Sequence, residues 1–224
     1  MKYFLQTVGR FFRITYSGQA YVNLLYLLAA FPLGILYFIF LIAGLSTGIS
    51  LSIIWVGIPL LLLVGFGWLA LAGFERFMAI HLLKEDMPIE RPLTEGGDIS
   101  ARVKEHLTDP ITWKSLCYLF LKFPLGMATF VILVTLISLT LVTLTMPFTF
   151  ESQQFFQAGF FLGSDLPAWH IDSLSEALYC TLIGLVLLPI TLHISNGLAY
   201  VHAKFARMML SDDPMGGFVA TAKA

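Results

Sequence analysis

YLLAAFPLG, from Tyr26 to Gly34, returns 92 residues later as YLFLKFPLG, from Tyr118 to Gly126. The match widens on both sides, with Tyr21 pairing with Trp113, Leu24 with Leu116 and Phe38 with Phe130. A residue type that caps helix N-termini precedes each copy, Ser17 in the first and Asp109 in the second. Pro110 suits the first helical position, where its missing N–H breaks no bond. The repetition reads as an internal duplication in which each half opens with a helix.

Composition fixes the solvent around those helices. With 58% hydrophobic and 12% charged residues and a mean hydropathy of +0.83, too little polar surface is left to cover a soluble globule. Four apolar stretches, 24–45, 51–74, 123–147 and 177–201, are each long enough for a bilayer core of about 30 Å. Runs such as IPLLLLVGF are apolar on every side, so their backbone must be satisfied internally, which selects helices over strands. The first apolar run starts too far into the chain and is too long for a cleaved signal peptide. The expected fold is an all-α membrane protein with four transmembrane helices arranged as two duplicated in-out-in hairpins. Because both hairpins start on one face, the repeats are expected to be parallel.

Charge gives the expected orientation. All 13 Lys and Arg residues fall on the side shared by the two ends and the middle loop, or at its boundary. The segment between spans three and four has none and carries Glu151, Asp165, Asp172 and Glu176. The positive-inside rule then places both termini in the cytoplasm. The net charge of -1 gives no footprint for nucleic acid. Cys117 and Cys180 fall near opposite faces, too far apart for a disulfide, and are expected to stay reduced.

Residues 1–16 read as an amphipathic helix on the cytoplasmic face, with Phe4, Val8, Phe11 and Phe12 on one side. The first hairpin is 17–83, its outer turn placed at GLSTGIS, Gly44 to Ser50. A cytoplasmic loop follows over 84–108, broken by Pro88, Pro92 and Gly96-Gly97, and reads as a linker or a docking surface. The second hairpin is 109–210 and holds an outer interfacial segment, 148–176, rich in aromatic residues. Residues 211–224 are a cytoplasmic tail. In the outer segment Phe155, Phe156, Phe160, Phe161 and Trp169 suit the headgroup level, or a surface that detects an amphiphile or envelope-active peptide.

Inside the spans, Pro32, Pro59, Pro124 and Pro189 are candidate bends. No acidic or basic residue is expected near a span centre, and Lys122, at an inner edge, is expected to snorkel towards water. His193, Asn196 and Tyr200 share one face of span four and form a candidate intramembrane polar face, either a ligand site or interhelical hydrogen bonding. His81 and His202 are expected at the interface. Thr129, Thr135, Ser138, Thr140, Thr143 and Thr145 read as hydroxyls bonded within their own helix. No Ser/His/Asp or Cys/His set, Gly-rich phosphate loop or metal-ligand spacing is present, so neither an enzyme nor a bound cofactor or metal is expected.

The stretch DPITWKSLCYLFLKFPLGMATF, the first-copy FPLGILYF, GIPLLLL, and IDSLSEALYCTLIGLVLL leading to HAKFARMML resemble the sensor domain of bacterial and archaeal two-component histidine kinases. The resemblance spans about residues 20–212, and its most specific part is the Asp109-Pro110, Thr112-Trp113 and FPLG combination. It implies a four-helix membrane input module normally followed by a kinase, for which SDDPMGGFVATAKA leaves no room. The expected function is a non-enzymatic sensory or regulatory module that passes a membrane or envelope signal to a partner. The alternative is an accessory structural subunit of a larger membrane complex. A small transporter ranks last, because the spans lack a polar pathway. Expected partners are membrane lipids, a separate kinase, transporter or complex subunit, and a second copy of the chain.

Overall fold

Residues 9, 11–87, 110–149 and 173–211 are described by the structure, a computed structural model. Four long helices dominate them: α1 Gly18–Leu51, α2 Gly57–His81, α3 Pro110–Thr149 and α4 Leu174–Leu210. Each is long and apolar enough to cross a membrane; even the shortest, with 25 residues, exceeds the roughly 20 a span requires. Large apolar side chains such as Leu25, Leu36, Ile39, Leu63, Val131 and Leu182 stand exposed along them. A water-soluble surface would not tolerate that density, whereas lipid supplies matching surroundings.

The helix starts follow local chemistry. Ser17 is extended (φ -84°, ψ 109°), and its carbonyl accepts the Ala20 N–H at 3.1 Å as α1 begins. Pro110 opens α3. Ser173 caps α4, its Oγ facing the Glu176 N–H at 3.4 Å, and Glu176 lies in the first turn, where it complements the helix dipole.

The first hairpin turns later than expected. GLSTGIS remains helical, and the reversal is made by a 3-10 turn, Ser52–Ile54, with Trp55 in the left-handed region at φ 63°. Two effects keep the stretch in the helix. The hydroxyls of Ser46 and Ser50 bond back to the carbonyls of Ile42 and Ser46. Gly44 and Gly48 serve packing, since a Cβ on them would come within 2.7 Å of Val64 and 2.5 Å of Leu61. The glycine that the turn itself needs is Gly57, where a Cβ would collide with the Gly48 carbonyl at 2.2 Å.

Pro32, Pro124 and Pro189 lie within continuous helices. Pro59 does not act as a bend, because it is the third residue of α2, where its N–H would have no intrahelical partner. The hydroxyls of Thr129, Thr135, Thr140, Thr143 and Thr145 each bond a carbonyl four residues back.

Two compact units divide the chain. In the unit of Met1–Ala20 and Val131–Ser195, α3 and α4 pack antiparallel: Thr140 meets Thr191 at 3.1 Å, and Gly184 lies against Thr143 and Leu144.

In the unit of Tyr21–Phe130 and Asn196–Ala224, α1 and α2 form an antiparallel hairpin through Gly44 against Val64 and Gly67 against Phe40. The two FPLG segments cross directly. A Cβ on Gly34 would lie 2.8 Å from the Phe123 Cα, and one on Gly126 would lie 2.8 Å from the Ala30 carbonyl oxygen. Phe31 stacks on Phe130 at 4.7 Å and Phe38 on Phe123 at 4.9 Å. In each pairing the earlier residue of one helix meets the later residue of the other, so α1 and α3 run antiparallel here. Within this unit, which holds α3 as far as Phe130, the crossing thus has the opposite sense to the one that parallel repeats would lead one to expect. A shared motif specifies which faces meet, but not the direction in which the second helix enters. Trp68 beside Trp113 and Glu75 bonded to Tyr118 agree, since they require α2 and α3 to share a direction.

Burial repeats along the helices. Ala20, Tyr26, Leu27, Ala30, Tyr37 and Leu41 of α1 are buried, as are Thr112, Tyr118, Leu119, Lys122, Thr129 and Leu133, each 92 residues on. The buried Val64, Trp68, Ala72, Glu75 and Ala79 of α2 correspond likewise to Thr191, Ser195, Ala199, His202 and Ala206 of α4, at a spacing of 127.

Candidate functional site

The polar centre of the larger unit grows from those repeated positions. Glu75 and Lys122, from α2 and α3, are both 0% exposed, with Lys122 Nζ 2.7 Å from Glu75 Oε2. Tyr37 donates to Glu75 Oε1 at 2.9 Å and Tyr118 donates to Oε2 at 2.9 Å. Lys122 also donates to the Tyr26 hydroxyl at 2.7 Å and reaches the Tyr118 hydroxyl at 3.4 Å. Its ammonium lies 4.7 Å from the Tyr26 ring centroid and 5.7 Å from that of Tyr118.

Local sequence explains this convergence. Tyr118 and Lys122 are four residues apart and therefore share a helix face. Tyr26 is Tyr118's counterpart in the other motif, brought across by the glycine crossing. Lys122 stands where the first copy has the small Ala30, so only one long cation enters the crossing.

Beside this pair, His202 of α4 is 2% exposed; its Nε2 lies 3.0 Å from Thr129 Oγ1 and its ring meets Tyr26 edge-on at 6.2 Å. Under the spacings above, His202 with Thr129 and Tyr26 matches Glu75 with Tyr37 and Tyr118. One half supplies a carboxylate, and the other an imidazole. The arrangement holds a charge pair in a dry interior with each Lys122 proton directed at an oxygen, which ties α1, α2 and α3 together.

A second polar group joins the ends of α2 and α4. Glu85 Oε1 accepts from Lys204 at 2.8 Å and Arg207 at 3.3 Å, and Arg76 caps α4 by donating to the Leu210 carbonyl at 2.9 Å. Arg76 is the immediate neighbour of Glu75, so buried pair and capped helix end are carried on adjacent residues.

The predicted residues fare differently. His193, Asn196 and Tyr200 do not converge on a site: His193 is exposed and stacks on Phe11 at 5.3 Å, Asn196 accepts from Asn23 at 2.9 Å, and Tyr200 is exposed under Lys204 at 5.4 Å. Lys122 does not snorkel, because Glu75 and Tyr26 satisfy it inside, and His202 is buried instead of interfacial. The aromatic surface of Phe155, Phe156, Phe160, Phe161 and Trp169, the loop beyond residue 87, Phe4, Val8 and Asp109 lie outside the described residues. Cys117 is exposed and Cys180 buried, both free. Among the described residues no three metal-ligating side chains gather.

Reading span ends by hydropathy alone missed the site. The signal was an Ala-to-Lys difference between two copies of one motif, together with a lone Glu in FERF on the neighbouring apolar helix.

Helices of this length and apolarity, enclosing a buried ion pair, define a multi-pass α-helical membrane protein. The chain belongs to the family described as Putative sensor, whose profile matches residues 26–210. That range begins at Tyr26 and ends at Leu210, both of which take part in the bonds above. No curated protein and no solved structure matches the chain.

Proposed function

We propose that this protein is a non-enzymatic sensory module of a prokaryotic cytoplasmic membrane that passes a membrane or envelope signal to a separate protein partner. The observation that carries this reading is the bonded continuity from the Glu75–Lys122 pair through Arg76 to the end of α4. Sensory-family membership supports it. A stimulus that binds two helix arrangements with different affinity shifts their populations. Separating α1 from α3 would strip Lys122 of Tyr26 and carry that change to Arg76 and Leu210, which adjoin the basic residues Lys204 and Arg207. Such a basic edge favours the cytoplasmic side. Both chain ends are placed in the cytoplasm, and the support is the charge distribution, with all 13 Lys and Arg residues on the side that the two ends share or at its boundary. We further propose that the two hairpins arose by duplication, for which the recurring buried positions and the reciprocal glycine crossing are the support.

The test is purification from native membranes under several envelope stresses. A partner whose capture changes with stress, and whose response is lost in a folded Glu75→Leu/Lys122→Met variant, supports the sensor. A partner held at constant stoichiometry under every condition, unaffected by that variant, supports the accessory-subunit reading instead.

A further inference from the structure

A groove of about 500 Å³ lies in the larger unit, walled by α1, α2 and the start of α3, with Leu45, Ile58, Leu62, Gly65, Trp68 and Trp113 among its lining. That volume is in the range of small-molecule sites, and Thr112 supplies the one side-chain hydroxyl in its lining. Two features leave the space open to an occupant from the helix surface. Nothing lies within 4 Å of where a Gly65 Cβ would stand, so a missing side chain opens the wall. Ile49, Ile58, Leu62, Phe66 and Trp113 on the rim are 62%, 48%, 38%, 55% and 51% exposed, which makes the rim continuous with the apolar helix surface that faces lipid.

The internal correspondence shows what such a place accepts. At the spacing of 127, Gly65 corresponds to Leu192 and Phe66 to His193. Leu192 is buried, at 3% exposure, and the exposed His193 stacks on Phe11 of the N-terminal segment at 5.3 Å with rings 21° from parallel. One half therefore carries a buried leucine at this position, where the other has a glycine with open space before it. We propose that the groove beside Gly65 binds one acyl chain of a membrane phospholipid, which lies against Trp68 in place of the missing side chain. Hydrocarbon is the medium at the rim, and the lining presents no charge to recognise a headgroup. Affinity comes from apolar contact, so selectivity falls on chain length and shape.

Trp68 reports occupancy directly, because at 7% exposure bulk lipid does not reach it. The full chain carrying Trp55→Phe, Trp113→Phe and Trp169→Phe is reconstituted in phosphatidylcholine bilayers with brominated or ordinary acyl chains. Trp68 fluorescence is expected to be strongly quenched by brominated chains and to lose most of that quenching on adding Gly65→Leu, which fills the groove. Equal quenching with and without Gly65→Leu, or none in either, would overturn the assignment. A photo-crosslinker at Leu62 guards against a misfolded Gly65→Leu. Capture of phospholipid supports the proposal, whereas capture of another part of the chain or of a second copy assigns the groove to that occupant and refutes it. Binding is read without any signalling output, so the result is independent of the sensory reading.

Discussion

Gly34 and Gly126 occupy the same place in two copies of one motif, and each leaves room for the backbone of the other copy's helix: Phe123 in one case, Ala30 in the other. Alanine at either position would force the backbones apart, at about 1–3 kcal/mol each. Gly73 and Gly197 have nothing within 4 Å, so alanine there should be stabilising by up to about 1 kcal/mol through helix propensity. Unfolding titrations in detergent distinguish the two classes; equal effects would deny the close crossing.

Lys122→Met strands the Glu75 carboxylate in an apolar interior and is expected to cost about 3–5 kcal/mol. Combining it with Glu75→Leu removes the charge and should restore most of that loss. A double-mutant cycle measured by thermal unfolding gives the coupling, and additive single effects would show that the two groups do not pair.

Tyr37 is the donor to Glu75 Oε1. Tyr37→Phe keeps the ring and removes the hydroxyl, with an expected loss of about 1–3 kcal/mol. Tyr179→Phe, at a tyrosine 65% exposed, should stay within about 0.5 kcal/mol. The same unfolding assay ranks the pair.

Helix direction is open to chemical crosslinking. In a Cys117→Ser, Cys180→Ser background, Phe31→Cys with Phe130→Cys should be joined by a short bis-maleimide, since those rings stack at 4.7 Å. Phe31→Cys with Phe123→Cys, the pair that parallel helices would align, should not be joined. The reverse pattern on gels would restore the parallel arrangement.

Pro59→Ala should change stability by less than about 0.5 kcal/mol, because that proline breaks no intrahelical bond. Pro32 and Pro124 lie in helix interiors within the FPLG crossing. If bending there matters, Pro32→Ala and Pro124→Ala should fold and yet lose the stress-dependent partner capture, while Pro59→Ala retains it.

The four helices were legible because their signals are local: runs of apolar residues, Ser17 before α1 and Pro110 opening α3. The hydroxyls of α3 were readable for the same reason, since Ser and Thr bond carbonyls within one turn. The first turn was misplaced because Gly44 and Gly48 carry the composition of a loop while their role is set by Val64 and Leu61, side chains that a linear reading cannot place beside them. The sense of the FPLG crossing was not legible, because span counting and a charge tally contain no term for how α1 meets the start of α3. Lys122 was assigned to water because its carboxylate partner lies 47 residues away on another helix. Periodicity groups His193, Asn196 and Tyr200 on one face of α4, but the buried face is the adjacent one, with Thr191, Ser195, Ala199 and His202.

Ala30 and Lys122 differ at matching places of the two motifs, and that difference decides what can pair with what. Two identical first hairpins associating about the same crossing would bring two carboxylates into one dry space without an ammonium to neutralise them. The two halves are therefore complementary where they meet, and a gene fragment encoding residues 18–81 alone would not self-assemble into a working miniature of the whole.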